Sequence, residues 1–319
     1  VPSPLLIIKP GSMGDVVHAL PVAAAIHAAS PDRPITWICD QRWTPLLEGN
    51  PSISKIHIFP RQEFRGAGGL LKARKWYRGL RELGAETALD LQGLLRSGLM
   101  ARSSGAQRTI GLSDSREGAR FFHSERVPVE KNEHAVKRYL RCLPALGISI
   151  PERPEWFLPQ GSLPNGFDPS EPFLALHPSA RGAGKSMDDA CIEGFLETFR
   201  KNSKARIVLV GAGGGAPQHD TLDLREKTSL PELLGILRAA RFVVSVDSGP
   251  MHIAAALGKP LLSIHTWTDP RLVGPFSDSA WIWQGGTIRS QNLESAPLPE
   301  KPFTPADASA VAEFAAARL

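Results

Sequence analysis

The sequence predicts an α/β protein made of two parallel-sheet halves in succession. Three observations carry this: short apolar runs alternate with longer helical patterns, the runs lack polar alternation, and the pattern restarts after a proline-rich interruption. Apolar runs without clean alternation, separated by helices, are strands covered on both faces. In the first half the candidate strands are 5–9, 35–39, 55–59, 87–91 and 108–112, with helices over 15–30, 69–83, 94–103 and 132–146. The stretch 151–172, with Pro154, Pro159, Pro164 and Pro169 inside it, has no periodicity and reads as an inter-domain linker. Beyond it strands are expected at 173–177, 206–210, 242–246 and 261–265, with helices near 188–203, 230–240 and 249–257 and a final one over 305–319. The expected division is 1–155 and 156–319, two Rossmann-like domains facing a cleft, with the last helix free to pack back on the first. Ligands of such sheets sit at the carboxyl ends of the strands.

The 319 residues suffice for two domains, and 42% apolar with 22% charged residues is a globular composition. No apolar stretch reaches the roughly 18 residues of a membrane span, and the run from Leu5 to Ile8 is too short for a secretory signal. Cys39, Cys142 and Cys191 are odd in number and have no CxxC spacing; they read as buried, reduced thiols of a cytosolic chain, not as a metal set. The net charge of +5 is uneven: residues 61–141 carry 17 Lys/Arg against 9 Asp/Glu, an excess of +8 that leaves the remainder at −3. Such a patch suits an anionic partner, or is a solvated helical face. Aromatics do not alternate with its cations, which argues against nucleic acid.

Four stretches carry candidate chemistry. KPGSMGDVVHALP, residues 9–21, follows the first strand and places Asp15 in a turn opened by Gly11, Ser12 and Gly14. Asp15 is either a helix cap or a base for an acceptor hydroxyl. In FVVSVDSGPMHIAAALGKP, residues 242–260, Ser248 and Gly249 leave backbone N–H groups at a positive helix end, an arrangement suited to a diphosphate. Pro250 suits the first helical turn. Asp247 would repel a phosphate, so it orients sugar hydroxyls or caps the helix, and His252 is either a phosphate donor or structural. LALHPSARGAGKS, residues 174–186, offers His177, Ser179, Arg181 and Lys185 on a flexible loop, where a lysine could follow the charge of a leaving diphosphate. In VLVGAGGGAP, residues 208–217, Gly211, Gly213 and Ala216 fit GxGxxA. Pro217 interrupts the helix such a fingerprint needs, and no acidic residue ends a strand about 20 residues on, so an NAD site is rejected.

Together these stretches resemble the lipopolysaccharide heptosyltransferases of glycosyltransferase family 9, most of all heptosyltransferase I, over nearly the whole chain. The family's (T/S)-S-M-G-D-(V/I) motif appears here as Pro10-Gly11-Ser12-Met13-Gly14-Asp15-Val16, and its D-(S/T)-G-x-x-H motif as Asp247-Ser248-Gly249-Pro250-Met251-His252, with Thr268-Asp269-Pro270 downstream. Asp90, Gln92, Gly93 and Ser97 match D-x-Q-G-L-x-x-S, and Ser115-Arg116-Glu117 matches the (A/S)-R-E triplet of heptosyltransferase I. The resemblance implies a GT-B fold and an inverting, metal-independent transfer without a cofactor. It implies ADP-heptose as donor and the Kdo-bearing lipid A core as acceptor, at the cytoplasmic face of the inner membrane. It implies Asp15 as general base, with Lys185 stabilising departing ADP; His18, one turn along the same helix face, either steadies the carboxylate or simply packs. Donor contacts would come from Ser12, Met13, Gly14, Ser179, Asp247, Ser248, Gly249 and His252, and acceptor contacts from Arg61, Arg65, Gln92 and Arg116. The surplus cations would also hold the protein against an anionic membrane.

Three positions depart from the family pattern. Lys185 is followed by Ser186-Met187 where K-x-W is usual, Ala180 replaces a common hydroxyl residue, and the loop 211–217 is glycine-rich where an aromatic is frequent. The rival readings are heptosyltransferase II or a later core enzyme, a nucleotide-sugar 2-epimerase, and a non-catalytic nucleotide-sugar-binding protein. An epimerase would need a second acid/base carboxylate, and Asp15 has no obvious partner in the sequence.

Overall fold

Leu5, Leu6, Ile7 and Ile8 have no solvent-facing side, being at most 1% exposed, and they form the central strand of the first of two sheets. In this computed structural model, which describes residues 3–66, 68–213, 221–291 and 296–319, the chain divides into the units Val1–Pro159 and Gln160–Leu319.

The first unit runs β1 (Leu5–Ile8), α1 (Met13–Ala29), β2 (Ile35–Asp40), β3 (Lys55–Phe59), α2 (Gly69–Gly79), β4 (Thr87–Asp90), α3 (Leu95–Ser103), β5 (Arg108–Leu112), β6 (Glu125–Val127) and α4 (Ala135–Leu140). The sheet order is β3-β2-β1-β4-β5-β6 and every pairing is parallel. The chain reverses its direction of growth between β1 and β4, the switch point where open sheets of this kind bind ligands. Helix α1 starts at the carboxyl end of β1 and is buried along most of its length, so its first turn is held at that switch point.

The second unit runs β7 (Phe173–His177), α5 (Asp189–Asn202), β8 (Arg206–Leu209), β9 (Leu222–Asp223), α6 (Leu230–Ala239), β10 (Phe242–Val246), α7 (Gly249–Ala256), β11 (Leu261–Ile264), α8 (Pro270–Val273), β12 (Ala280–Gln284), β13 (Thr287–Ser290) and α9 (Pro305–Ala316). The order β13-β12-β11-β10-β7-β8-β9 repeats that of the first unit, with one antiparallel strand, β13, added at the edge. Its switch point lies between β7 and β10.

Several expectations change in detail. The division falls at Pro159/Gln160, not 155/156. The proline-rich stretch is tied down at both ends: the Trp156 indole donates to the Val17 carbonyl, and the Ser162 N–H donates to that of Pro231. Gly161 and Gly235 meet so closely that a Cβ on Gly235 would lie 2.0 Å from the Ser162 oxygen. The expected helix 132–146 stops at Leu140, because Pro144 has no N–H for the Leu140 carbonyl. The last helix packs on α5, burying Ala308, Val311, Ala312 and Ala315 against Phe195 and Phe199. The hairpin β12–β13 is absent from the expected strands. Its turn is Gly285-Gly286, with φ of 60° and 85°, the positive pair that a two-residue hairpin turn requires.

Candidate active site

In the first unit a lysine at the end of an apolar strand organises the site. Lys9 is 2% exposed. Its ammonium donates to the Leu91 carbonyl at 3.0 Å and to the Tyr139 hydroxyl at 2.8 Å, and it lies 3.6 Å from Asp15 Oδ1. The Tyr139 hydroxyl in turn donates to Asp15 Oδ1 at 3.2 Å. Asp15 Oδ2 accepts from the Ser12 N–H at 2.9 Å and from its hydroxyl at 2.8 Å. Asp15 is therefore in the first turn of α1 with Ser12 as the capping residue, and the carboxylate reaches back to satisfy the cap.

Burial opposes ionisation of Asp15, but Lys9, the two Ser12 donors and Tyr139 outweigh it and hold the carboxyl below the ordinary range. Burial likewise opposes the charge of Lys9, yet Tyr139 and Asp15 keep its pKa above the usual lysine value. Burial raises Tyr139, which stays protonated and can donate. A carboxylate has about four lone-pair sites. Three here are occupied, and the side chain is still 38% exposed. The arrangement is an anion held rigidly with one acceptor position open to solvent.

At the end of the adjacent strand, Asp90 is wholly buried and spends both oxygens on structure. It accepts from the N–H groups of Gln92 and Gly93, each at 3.0 Å, from the Ser97 hydroxyl at 3.0 Å, and pairs with His123 Nε2 at 2.9 Å. This shapes the loop that carries Gln92. The Ser115-Arg116-Glu117 triplet packs on the same loop: the Arg116 N–H donates to the Gly93 carbonyl at 2.7 Å, and Glu117 accepts from the Leu95 N–H at 3.3 Å. Two motifs more than twenty residues apart thus form one surface. The Arg116 side chain is exposed, as are Arg61 and Arg65 around the short 3₁₀ turn Arg61–Phe64. His18 is buried, edge-on to the ring of His134 at 5.2 Å.

In the second unit Lys185 and Asp247 come together. Their Nζ–Oδ2 distance is 2.7 Å, with the ammonium 4.7 Å from the centre of the Trp267 ring. Trp267 and Thr266 latch the lysine loop by donating to the carbonyls of Ala183 and Gly184. Burial would raise the pKa of Asp247, but His265, Lys185 and His252 depress it. Of these, His265 is itself pushed down to about 4 by burial and is neutral at pH 7, while Lys185 is in direct contact with the carboxylate.

The cap of α7 is Ser248, not Asp247, and its hydroxyl bonds His177 Nδ1 at 3.1 Å instead of the helix backbone. That leaves the positive end of α7 without a side-chain cap. Gly249 follows at the first helical position, and His252 is buried one turn in. Met13 and Gly14 occupy the first turn of α1 in the other unit.

His177, read as a strand-end donor, is buried, with Nδ1 shared between Ser245 and Ser248. Its ring lies beneath Gly211, where a Cβ would come 2.3 Å from Cδ2. The Ser179 hydroxyl is bonded to the Ala212 carbonyl. Ala216 and Pro217 lie outside the described residues. The departure at Ala180 is joined to the lysine loop, its N–H donating to the Ser186 hydroxyl at 2.9 Å. Met187 is core, 6% exposed against α5. Lys9, Tyr139, Thr266 and Trp267 are site residues that the sequence reading passed over.

Burial also pushes His177 down to about 4. Between pH 6.5 and 4 the unfolded chain binds protons that these two folded histidines refuse, so stability falls as pH falls through that window. Thermal melts from pH 7 to 4.5 should show the decline, flattened in His265→Asn relative to the starting protein. An unchanged slope would assign the loss to other groups.

Among the described residues no three His, Cys, Asp or Glu side chains are grouped to hold a metal, and no helix is long and apolar enough to cross a membrane. The profile of glycosyltransferase family 9 (heptosyltransferase) matches residues 73–299. This chain belongs to glycosyltransferase family 9. Lipopolysaccharide heptosyltransferase 1 of Escherichia coli K12 is 27% identical over 318 residues, which cover 93% of this chain and 98% of that one. The protein of the same name from Pseudomonas aeruginosa is 27% identical over 295 residues, 86% and 82% of the two chains. The solved structure of E. coli heptosyltransferase WaaC with ADP superposes with a TM-score of 0.78 at 23% identity, covering 99% of this chain and 100% of that one. The fold is GT-B and the family member is a glycosyltransferase.

Proposed function

We propose that the protein moves heptose from ADP-heptose to the Kdo-bearing lipid A core by a single inverting displacement that needs no metal or other cofactor. The observation that carries this is the Asp15 carboxylate: ionised, fixed on two sides and open on one, at the switch point of its sheet. Asp15 takes the proton of the acceptor hydroxyl as that oxygen bonds to the anomeric carbon. The bond from that carbon to the diphosphate breaks on the opposite face, so the configuration inverts. Negative charge then develops on the leaving ADP. Lys185, aimed by Asp247 and Trp267, and the side-chain-free N-terminus of α7 at Ser248 and Gly249 supply the balancing positive charge. His252 and Ser179 complete the donor side, with Ser12, Met13 and Gly14 around the base.

On the acceptor side, Arg61, Arg65 and Arg116 suit Kdo carboxylates and lipid A phosphates, and Gln92 sits beside Arg116 on the shared loop. The kinship with heptosyltransferase 1 supports the first transfer over later ones. The excess of cations over 61–141 favours work at the cytoplasmic face of the inner membrane.

The test is transfer from ADP-heptose to Kdo-lipid A, run beside a core that already ends in heptose. Product with the first acceptor alone supports the reading. Product with the second alone makes the protein a later core enzyme, and no binding of ADP-heptose overturns the donor assignment.

A further inference from the structure

Helix α2 has two faces of opposite character. Trp76 and Tyr77 face inward, packed with Phe59 and Phe64, and are pinned by hydrogen bonds from the Trp76 indole to the Ile58 carbonyl and from the Tyr77 hydroxyl to that of Arg96. Gly69 is buried so closely on Phe64 that a Cβ would lie 2.3 Å from the Phe64 oxygen, which fixes where the first turn starts. Held this way, the helix turns Leu70 and Leu71 outward, 80% and 71% exposed. Leu71, Arg74, Lys75 and Arg78 follow at i, i+3, i+4 and i+7, on one exposed face. Lys72 has an acidic neighbour, Glu63, at 3.9 Å. Arg74, Lys75 and Arg78 form no ion pair among the described residues.

Among the described residues the two leucines stand clear of the core of this unit, 80% and 71% exposed. Adjacent exposed leucines bordered by unpaired cations are complementary to an apolar layer beneath anionic headgroups.

We infer that the first turn of α2 is a membrane anchor: Leu70 and Leu71 insert into the interface of an anionic bilayer, while Arg74, Lys75 and Arg78 bind its phosphate headgroups. This rests on the proposed work at a membrane and gives that contact its residues. It also places the anchor five residues of chain from Arg65 and nine from Arg61, so that docking on the bilayer and gripping a lipid-borne acceptor are done by neighbouring segments.

The experiment is co-sedimentation of the full chain with vesicles that contain no lipopolysaccharide. One set is phosphatidylethanolamine with phosphatidylglycerol, the other phosphatidylethanolamine with phosphatidylcholine. The starting protein should bind the first set and release it as salt rises. The double variant Leu70→Ser/Leu71→Ser should lose at least about tenfold in affinity. The double variant Arg74→Glu/Lys75→Glu should also bind weakly and lose the salt dependence. With Leu70→Ser/Leu71→Ser, transfer to vesicle-borne acceptor should fall and transfer to a deacylated, water-soluble acceptor should stay unchanged. Vesicle binding unaltered by the serine substitutions, or absent in the starting protein, overturns the anchor. So does self-association of the starting protein that the serine substitutions abolish, since the patch would then be an interface between copies. If the starting protein binds vesicles but transfers heptose to neither acceptor, the functional reading fails and the anchor stands.

Discussion

Asp15→Asn is expected to reduce heptose transfer roughly 100- to 10,000-fold while ADP-heptose affinity stays close to that of the unaltered protein. The amide keeps the shape of the side chain and can still accept from the Ser12 N–H, but it cannot take a proton at any accessible pH. Steady-state transfer beside calorimetric donor binding separates the two effects. Because Lys9, Ser12 and Tyr139 hold Asp15 below the usual carboxylate range, the proposed base is ionised throughout the neutral region. The acid limb of kcat/KM should accordingly lie below about 3.9, the value of an unperturbed aspartate. Asp15→Asn also leaves the buried Lys9 ammonium without its counter-ion, so melting is measured alongside. Transfer within tenfold of the unaltered protein would remove Asp15 from the chemistry and leave it as part of the helix cap.

Lys9→Met should have the largest effect on stability, about 1–3 kcal/mol, because buried acceptors lose their donor while the carboxylate left behind is partly open to water. The Leu91 carbonyl and the Tyr139 hydroxyl lose their donor, and the Asp15 anion loses its cation. A carboxyl with a depressed folded pKa contributes stability that is present above the unfolded value and is lost as pH falls through the folded one. Without Lys9 that contribution shrinks, so denaturant unfolding at neutral pH reports the loss. The same change raises the Asp15 pKa and moves the acid limb of kcat/KM to higher pH. A lysine that merely filled space would lower stability and leave the limb in place, and that outcome would confine Lys9 to packing. Tyr139→Phe should move the limb in the same direction by less, since it removes the hydroxyl's hydrogen bonds to Lys9 and Asp15 but no charge.

The central strands were legible because each is a continuous apolar run, and the turns after β1 and β10 because glycine, serine and proline mark helix starts locally. What the neighbouring residues alone could not show was the use each polar group is put to. Asp247 reads as a cap or a sugar contact; the cap is Ser248 instead, and Asp247 is the counter-ion of a lysine 62 residues earlier. Met187 reads as a departure in a donor loop, yet it belongs to the core. The Gly285-Gly286 turn is a local hairpin signal, but the strand it adds lies outside the strand–helix alternation, since β12 pairs parallel with β11 and antiparallel with β13.

By itself, then, the sequence determined the α/β class, the two-fold repeat of the sheet pattern and the placing of Asp15 and Ser248 at strand-to-helix turns. All of these are consequences of periodicity and backbone propensity within a few residues. Only the tertiary structure decided that Tyr139, 130 residues away, meets Lys9, that Arg116 shares a surface with Gln92, and that Trp267 lies against Lys185. Those meetings follow from the packing of α4 on α1, from the pairing of β4 with β5, and from a strand order that sets β11 two places from β7. A strand's own residues state that it is buried; which strand lies beside it is settled only when the whole sheet closes on a common core.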